Sequence, residues 1–215
     1  MTDEELTTPG GPTPRIGLTT VELGATPAVG PLFRTAAIGL VPGLRGGRVT
    51  DELPALDLVL RGVTVDRDRL AAYNRVCGFR LTDRLPPTYP HILAFGLSLR
   101  LMTSPEFPFP LIGLVHLANR ITVERPLDAG EPLDLSVRAV DLRPHPRGRQ
   151  FDLLATASVD GEVVWRDTST YLRRERTGGQ EGRRDHTDRP APPNPSAWWR
   201  LTPRVGTDYA RVSGD

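Results

Sequence analysis

Proton transfer by a protein needs an imidazole, a thiol or a carboxylate held in place, and this chain carries few of the first two: four His and one Cys. His91 opens an apolar run, and its nearest carboxylate in sequence, Asp83, precedes the Pro86-Pro87 turn. Without an acidic partner at motif spacing, His91 reads as a helix-start histidine bonded to backbone or solvent. His116 shares the polar side of an alternating segment with Arg120 and Glu124, which reads as a solvated or interface face. Cys77 lies among apolar residues and reads as an inert core thiol. One cysteine also excludes a disulfide framework and a cysteine zinc cluster. All 27 basic residues are Arg, so Schiff-base and P-loop lysine chemistry are excluded. Segments of the types Gly-x-Ser-x-Gly, Gly-x-Gly-x-x-Gly and His-Glu-x-x-His are absent from the sequence.

The remaining chemistry-bearing feature is a short internal repeat. Tyr73-Asn74-Arg75-Val76-Cys77-Gly78-Phe79 matches Tyr209-Ala210-Arg211-Val212-Ser213-Gly214-Asp215 in Tyr, Arg, Val and Gly. The second copy ends on a carboxylate, Asp215, where the first has Phe79. Both copies follow an apolar segment at the same distance, as equivalent helices of two tandem domains would.

The elements that must position these residues follow from composition and periodicity. The chain has 215 residues, 38% hydrophobic and 25% charged, with 27 basic against 26 acidic residues. The length suits one domain plus part of another, and the balanced charge argues against a nucleic-acid binder. An acidic start at Asp3-Glu4-Glu5 and the lack of a long apolar stretch give the expectation of a soluble, cytoplasmic chain with no membrane contact. Residues 1–50, rich in Gly and Pro, read as an N-terminal arm with one short helix near Leu32–Leu40. Residues 51–175 read as a regular domain. Residues 176–196 contain almost no apolar side chain and read as a disordered linker. Residues 197–215 restart an apolar pattern with Trp198 and Trp199, which would be core residues of a second domain.

Within 51–175, Leu56–Val65 reads as a strand. Asp66–Gly78 reads as a helix, with Asp66 or Asp68 as cap and Gly78 at its end. His91–Thr103, with Pro90 in its first turn, is apolar nearly all round, and a helix without a polar face is a buried one. Leu114–Glu124, Pro132–Asp141, Phe151–Val159 and Glu162–Arg173 alternate as strands, with Asp160-Gly161 as a hairpin turn. The order predicts an α+β hotdog fold: an antiparallel sheet wrapped around a buried central helix, one complete copy plus the first helix of a second.

Tyr209-Ala210-Arg211-Val212-Ser213-Gly214-Asp215 resembles the start of the signature of MaoC-like hydratases and dehydratases, the R-specific enoyl-CoA hydratase and 3-hydroxyacyl dehydratase family. Tyr73–Phe79, Pro86–Phe95, Phe107–Pro126 and Arg143–Arg173 resemble the first, degenerate hotdog of its two-hotdog members. The resemblance implies interconversion of a trans-2-enoyl and an (R)-3-hydroxyacyl thioester, on coenzyme A or an acyl-carrier protein, with no metal or redox cofactor. It implies that Asp215 is half of a catalytic carboxylate–imidazole pair whose His would lie five residues later, past this sequence. It places the acyl chain against Ala94, Gly96 and Ser98 of the central helix. Arg143, Arg147 and Arg149 read as an exposed hairpin tip or as a docking point for the phosphates of coenzyme A, which Arg suits by its bidentate fork. Two other readings stand beside this one: a non-catalytic hotdog that binds acyl-CoA or pairs with another subunit, and a hotdog thioesterase. A lone hotdog has an open sheet edge, so homodimerisation, association with another hotdog subunit or poor solubility is expected.

Overall fold

The computed structural model describes residues 17–38, 51–175 and 194–214. Its elements run β1 (Thr19–Glu22), α1 (Val29–Ile38), β2 (Leu56–Val63), α2 (Arg67–Cys77), α3 (Tyr89–Met102), β3 (Leu114–Val123), β4 (Leu133–His145), β5 (Gly148–Val159), β6 (Glu162–Arg174) and α4 (Val205–Ser213). Six strands form one sheet in the order β1-β2-β4-β5-β6-β3. The pairs from β2 through β3 are all antiparallel. The sheet wraps α3, as the alternating strands and the apolar helix together require. The central helix contributes Ala94, Leu97, Leu99, Leu101 and Met102 to the core, against Leu133, Leu135 and Val137 of β4 and Phe151 and Leu153 of β5. Inward positions on β4 and β5 recur every second residue, the period of a half-buried strand.

Local chemistry sets the element ends. The Asp66 carboxylate accepts from the backbone N–H groups of Asp68 and Arg69, at 2.9 and 3.1 Å, and so caps α2. Gly78 ends that helix in the left-handed region at φ 74°, which glycine adopts without a Cβ clash. Pro90 sits in the first turn of α3, where its missing N–H has no intrahelical partner to lose.

Two features differ from the sequence expectation. The N-terminal arm is more than an appendage: β1 adds a parallel strand beside β2, pairing Thr19 with Leu56, and α1 packs on α3. Strands β4 and β5 extend through the expected Arg-rich tip, so that Arg143 pairs with Gln150 and Pro144 with Arg149. A bulge after Val140, with Asp141 at φ 56°, lets β4 run four residues beyond the expected end. Trp198 and Trp199 stand exposed. No helix among the described residues is long and apolar enough to cross a membrane.

Leu97, fully buried at the middle of α3, measures how much the wrapped helix holds the fold. Leu97→Ala is expected to cost about 2–5 kcal/mol in urea unfolding, because the packed surroundings refill the cavity only in part. A loss below about 1 kcal/mol would show that α3 is not the core element.

Candidate functional site

The two repeat copies end alike and touch each other. Helices α2 and α4 both stop at a left-handed glycine, Gly78 at φ 74° and Gly214 at φ 83°. The two helices pack together, and the matched Tyr73 and Tyr209 rings lie 6.3 Å apart between centroids. Contact between equivalent residues is what a local two-fold relation between repeats produces. Arg69 of α2 fixes the end of α4. Its guanidinium donates to the carbonyls of Val212 at 3.1 Å and Ser213 at 3.3 Å. A cation at the last carbonyls of a helix satisfies acceptors that have no intrahelical partner. Ser213 and Gly214 are thereby held immediately before Asp215, which itself lies outside the described residues.

That helix end forms one wall of a cavity of about 420 Å³. The other walls are Ile92, Leu93, Phe95 and Gly96 of α3, Val63 and Thr64 at the end of β2, and Thr26–Val29 of the arm. Gly96 has a specific role in this construction: a Cβ there would stand 2.9 Å from the Pro27 carbonyl oxygen, so only glycine lets the arm cross α3 so closely. Of the three residues expected along the acyl chain, Gly96 alone borders this cavity. Ala94 is turned into the core, and the Ser98 hydroxyl donates back to the Ala94 carbonyl at 3.3 Å. The polar margin of the cavity is Asp66, Arg69 and Tyr89. The buried Tyr89 hydroxyl has no hydrogen-bond partner among the described residues, and burial raises its pKa, opposed by the charge of Arg69.

On the opposite flank of α3 the structure brings together residues that the sequence did not connect. His91 Nδ1 lies 2.6 Å from Oδ2 of Asp167, a carboxylate on the inward face of β6. Asn119 of β3 donates to Asp167 Oδ1 at 2.7 Å and to the Ser169 hydroxyl at 2.9 Å. The acidic partner that His91 lacks in local sequence therefore arrives from 76 residues away. Its signal was present: Trp165, Asp167 and Ser169 alternate on one face of a strand whose inward positions are otherwise apolar. His116 stacks on Tyr171, with ring centroids 4.8 Å apart, on the edge strand β3. Cys77 is a half-buried free thiol. Among the described residues no group of His, Cys, Asp and Glu could hold a metal ion.

The arginines of the expected phosphate-docking point are placed mostly within the protein's own charge network. Arg143 donates to Asp141 and Asp152, at 2.7 and 3.0 Å. Arg149 pairs with Glu175 at 2.7 Å and Asp51 at 2.9 Å, and its guanidinium lies over the Phe109 ring. Carboxylate hydrogen bonds raise the pKa of both groups and fix their forks toward protein acceptors. Arg147 sits at the turn between the two strands, where its backbone N–H donates to His145 Nδ1 at 3.1 Å.

If Arg69 holds the end of α4, Arg69→Ala will free it. Amide exchange of residues 209–213 is expected to accelerate by about tenfold or more, the equivalent of one or two lost charge-assisted hydrogen bonds, while α2 remains protected. Unchanged exchange in α4 would contradict the docking.

No family model matches the sequence. The curated 3-hydroxyacyl-thioester dehydratase X of Mycobacterium tuberculosis is 36% identical over 167 residues, which cover 77% of this chain and 60% of that protein. A crystal structure of HtdX from the same organism matches with a TM-score of 0.61 at 32% identity, over 74% of this chain and 60% of the other. A MaoC-like dehydratase from Phytophthora capsici shares the fold, with a TM-score of 0.54 at 19% identity over 74% of this chain and 62% of that one. The chain thus spans less than two thirds of the length of these three relatives. Hotdog architecture and this similarity agree: the chain shares the hotdog fold of the MaoC-like dehydratases and is similar in sequence to 3-hydroxyacyl-thioester dehydratase X.

Proposed function

We propose that this chain is the acyl-binding part of an acyl-thioester hydratase or dehydratase that interconverts trans-2-enoyl and (R)-3-hydroxyacyl thioesters. The observation that carries the reading is the cavity beside α3, apolar along Ile92, Leu93, Phe95 and Gly96 and closed at one end by Ser213 and Gly214. An acyl chain lying on those residues would bring its thioester end toward Asp215. There the carboxylate would hold a water together with an imidazole; the pair would take a proton from the water as its oxygen adds to the β carbon, and would deliver a proton to the α carbon as the double bond is lost. Arg69 would set the position of Asp215 through the carbonyls of Val212 and Ser213 that it holds. Coenzyme A and an acyl-carrier protein are both suitable carriers of such a thioester. Dehydratase chemistry in the relative 3-hydroxyacyl-thioester dehydratase X supports the same reaction class.

The reading as a subunit that pairs with another hotdog is favoured by a separate observation. Edge strand β3 exposes Leu117 and Val123, and Ile112 stands exposed just before it. Among the described residues its outer backbone edge has no strand beside it in the sheet. An open edge bearing apolar side chains is a template for a further strand. Sedimentation at micromolar concentration is expected to show a dimer; a well-behaved monomer would count against pairing.

Calorimetry with crotonyl-coenzyme A tests the main reading. Binding is expected for the chain, and Gly96→Val is expected to weaken it by about tenfold or more, because the new side chain fills the cavity and meets the Pro27 carbonyl. In any form of the protein that hydrates crotonyl-coenzyme A, Asp215→Asn should lower kcat by about 10²-fold or more. Absence of any thioester binding to the unmodified protein would overturn the proposal.

A further inference from the structure

We propose that the His91–Asp167 pair is a second ligand site, in which Nε2 of His91 accepts a hydrogen bond from the hydroxyl of a 3-hydroxyacyl thioester. The class of ligand rests on the function proposed above; the site rests on its own geometry. The Asp167 side chain is 2% exposed, on a face of β6 that otherwise packs the core. A buried carboxylate carries a desolvation cost of several kcal/mol, and an apolar residue of similar size usually serves stability as well or better. The acid must therefore be sought in what it does for its neighbours. Oδ1 accepts from Asn119, Ser169 is within reach of both oxygens, and Oδ2 is left for His91.

That bond commits Nδ1 of the imidazole to carry a proton. In the neutral ring Nε2 is then the lone acceptor, and its direction is fixed by the carboxylate behind it. The placement is reinforced from the neighbouring loop: Trp165, two residues before Asp167, donates its indole N–H to the Pro87 carbonyl at 2.8 Å and pins the segment that leads into α3. The imidazole is not sealed in. Its side chain is 26% exposed, on the flank of the fold that faces edge strand β3.

His91 is not among the residues that line the acyl cavity. Tyr89, Ile92, Leu93, Phe95 and Gly96 of α3 line it, whereas the His91 side chain reaches β6 at Asp167. An oriented acceptor takes a ligand that brings an O–H or N–H donor. Among the compounds of the proposed reaction only the 3-hydroxyacyl thioester carries one on its acyl chain. A His91 that merely neutralises Asp167 would respond to no ligand.

The test uses diethyl pyrocarbonate, which acylates accessible unprotonated imidazole nitrogen, with mass spectrometry of the peptide containing residue 91. His91 is expected to react in the free chain. Saturating 3-hydroxybutyryl-coenzyme A should slow that reaction by about fivefold or more, the protection one hydrogen bond of about 1 kcal/mol supplies. Crotonyl-coenzyme A and coenzyme A alone should leave it unchanged. Asp167→Asn, which frees the ring to change tautomer, should abolish the difference between the two acyl ligands. The comparison of the three ligands on the unmodified chain decides the matter even where that variant does not fold. An unreactive His91 in the free chain, or a rate that all three ligands leave alone or lower equally, would overturn the site. If calorimetry shows both acyl ligands binding while His91 is unaffected, only this inference falls. If neither binds, the proposed function falls with it.

Discussion

One packing constraint organises this molecule: α3 has almost no polar face, so it must be covered on every side. The sheet covers one side, with β4 and β5 presenting a core residue at every second position. The arm and α1 cover part of the other, and the close crossing at Gly96 shows how little room that cover leaves. The functional features are consequences of where the wrapping is incomplete. Between the arm, the end of β2 and the end of α4 it leaves the cavity. On the β6 side it admits a buried carboxylate, and α3 answers with His91.

The same constraint explains why the first residues of α3 carry so much. Tyr89 is fully buried, its hydroxyl without a hydrogen-bond partner among the described residues, Pro90 starts the helix, and His91 reaches the sheet. The loop before them is fixed from two directions, by Trp165 on the Pro87 carbonyl and by the Tyr73 hydroxyl, 2.7 Å from that of Thr88. Tyr73 also contacts Tyr209. One aromatic residue thus links the start of the central helix to the helix that precedes Asp215.

What the sequence made legible was periodic. Alternation gave β3 and β6 nearly to the residue, and the apolar run gave α3, because burial on one face or all round leaves a pattern that local reading detects. The helix–glycine repeat was legible for a similar reason, since a left-handed end demands glycine at both Gly78 and Gly214. Strand β1 was missed: four exposed residues among turn formers carry no period, and only pairing with β2 defines them. The hairpin of β4 and β5 was cut short because Pro144 and the bulge at Asp141 interrupt the pattern without ending the ladder. The partner of His91 was not legible by local spacing. Contact across the sheet depends on register, which a short stretch of sequence does not encode.

The central claim is that the groove between α3 and the end of α4 is where the acyl chain lies. A crystal structure with a bound 3-hydroxyacyl thioester of coenzyme A tests it most directly. The account predicts acyl carbons in van der Waals contact with Gly96 and Ile92 and the thioester end beside Gly214. An acyl chain lying elsewhere, with the groove beside Gly96 filled only by solvent, would contradict it.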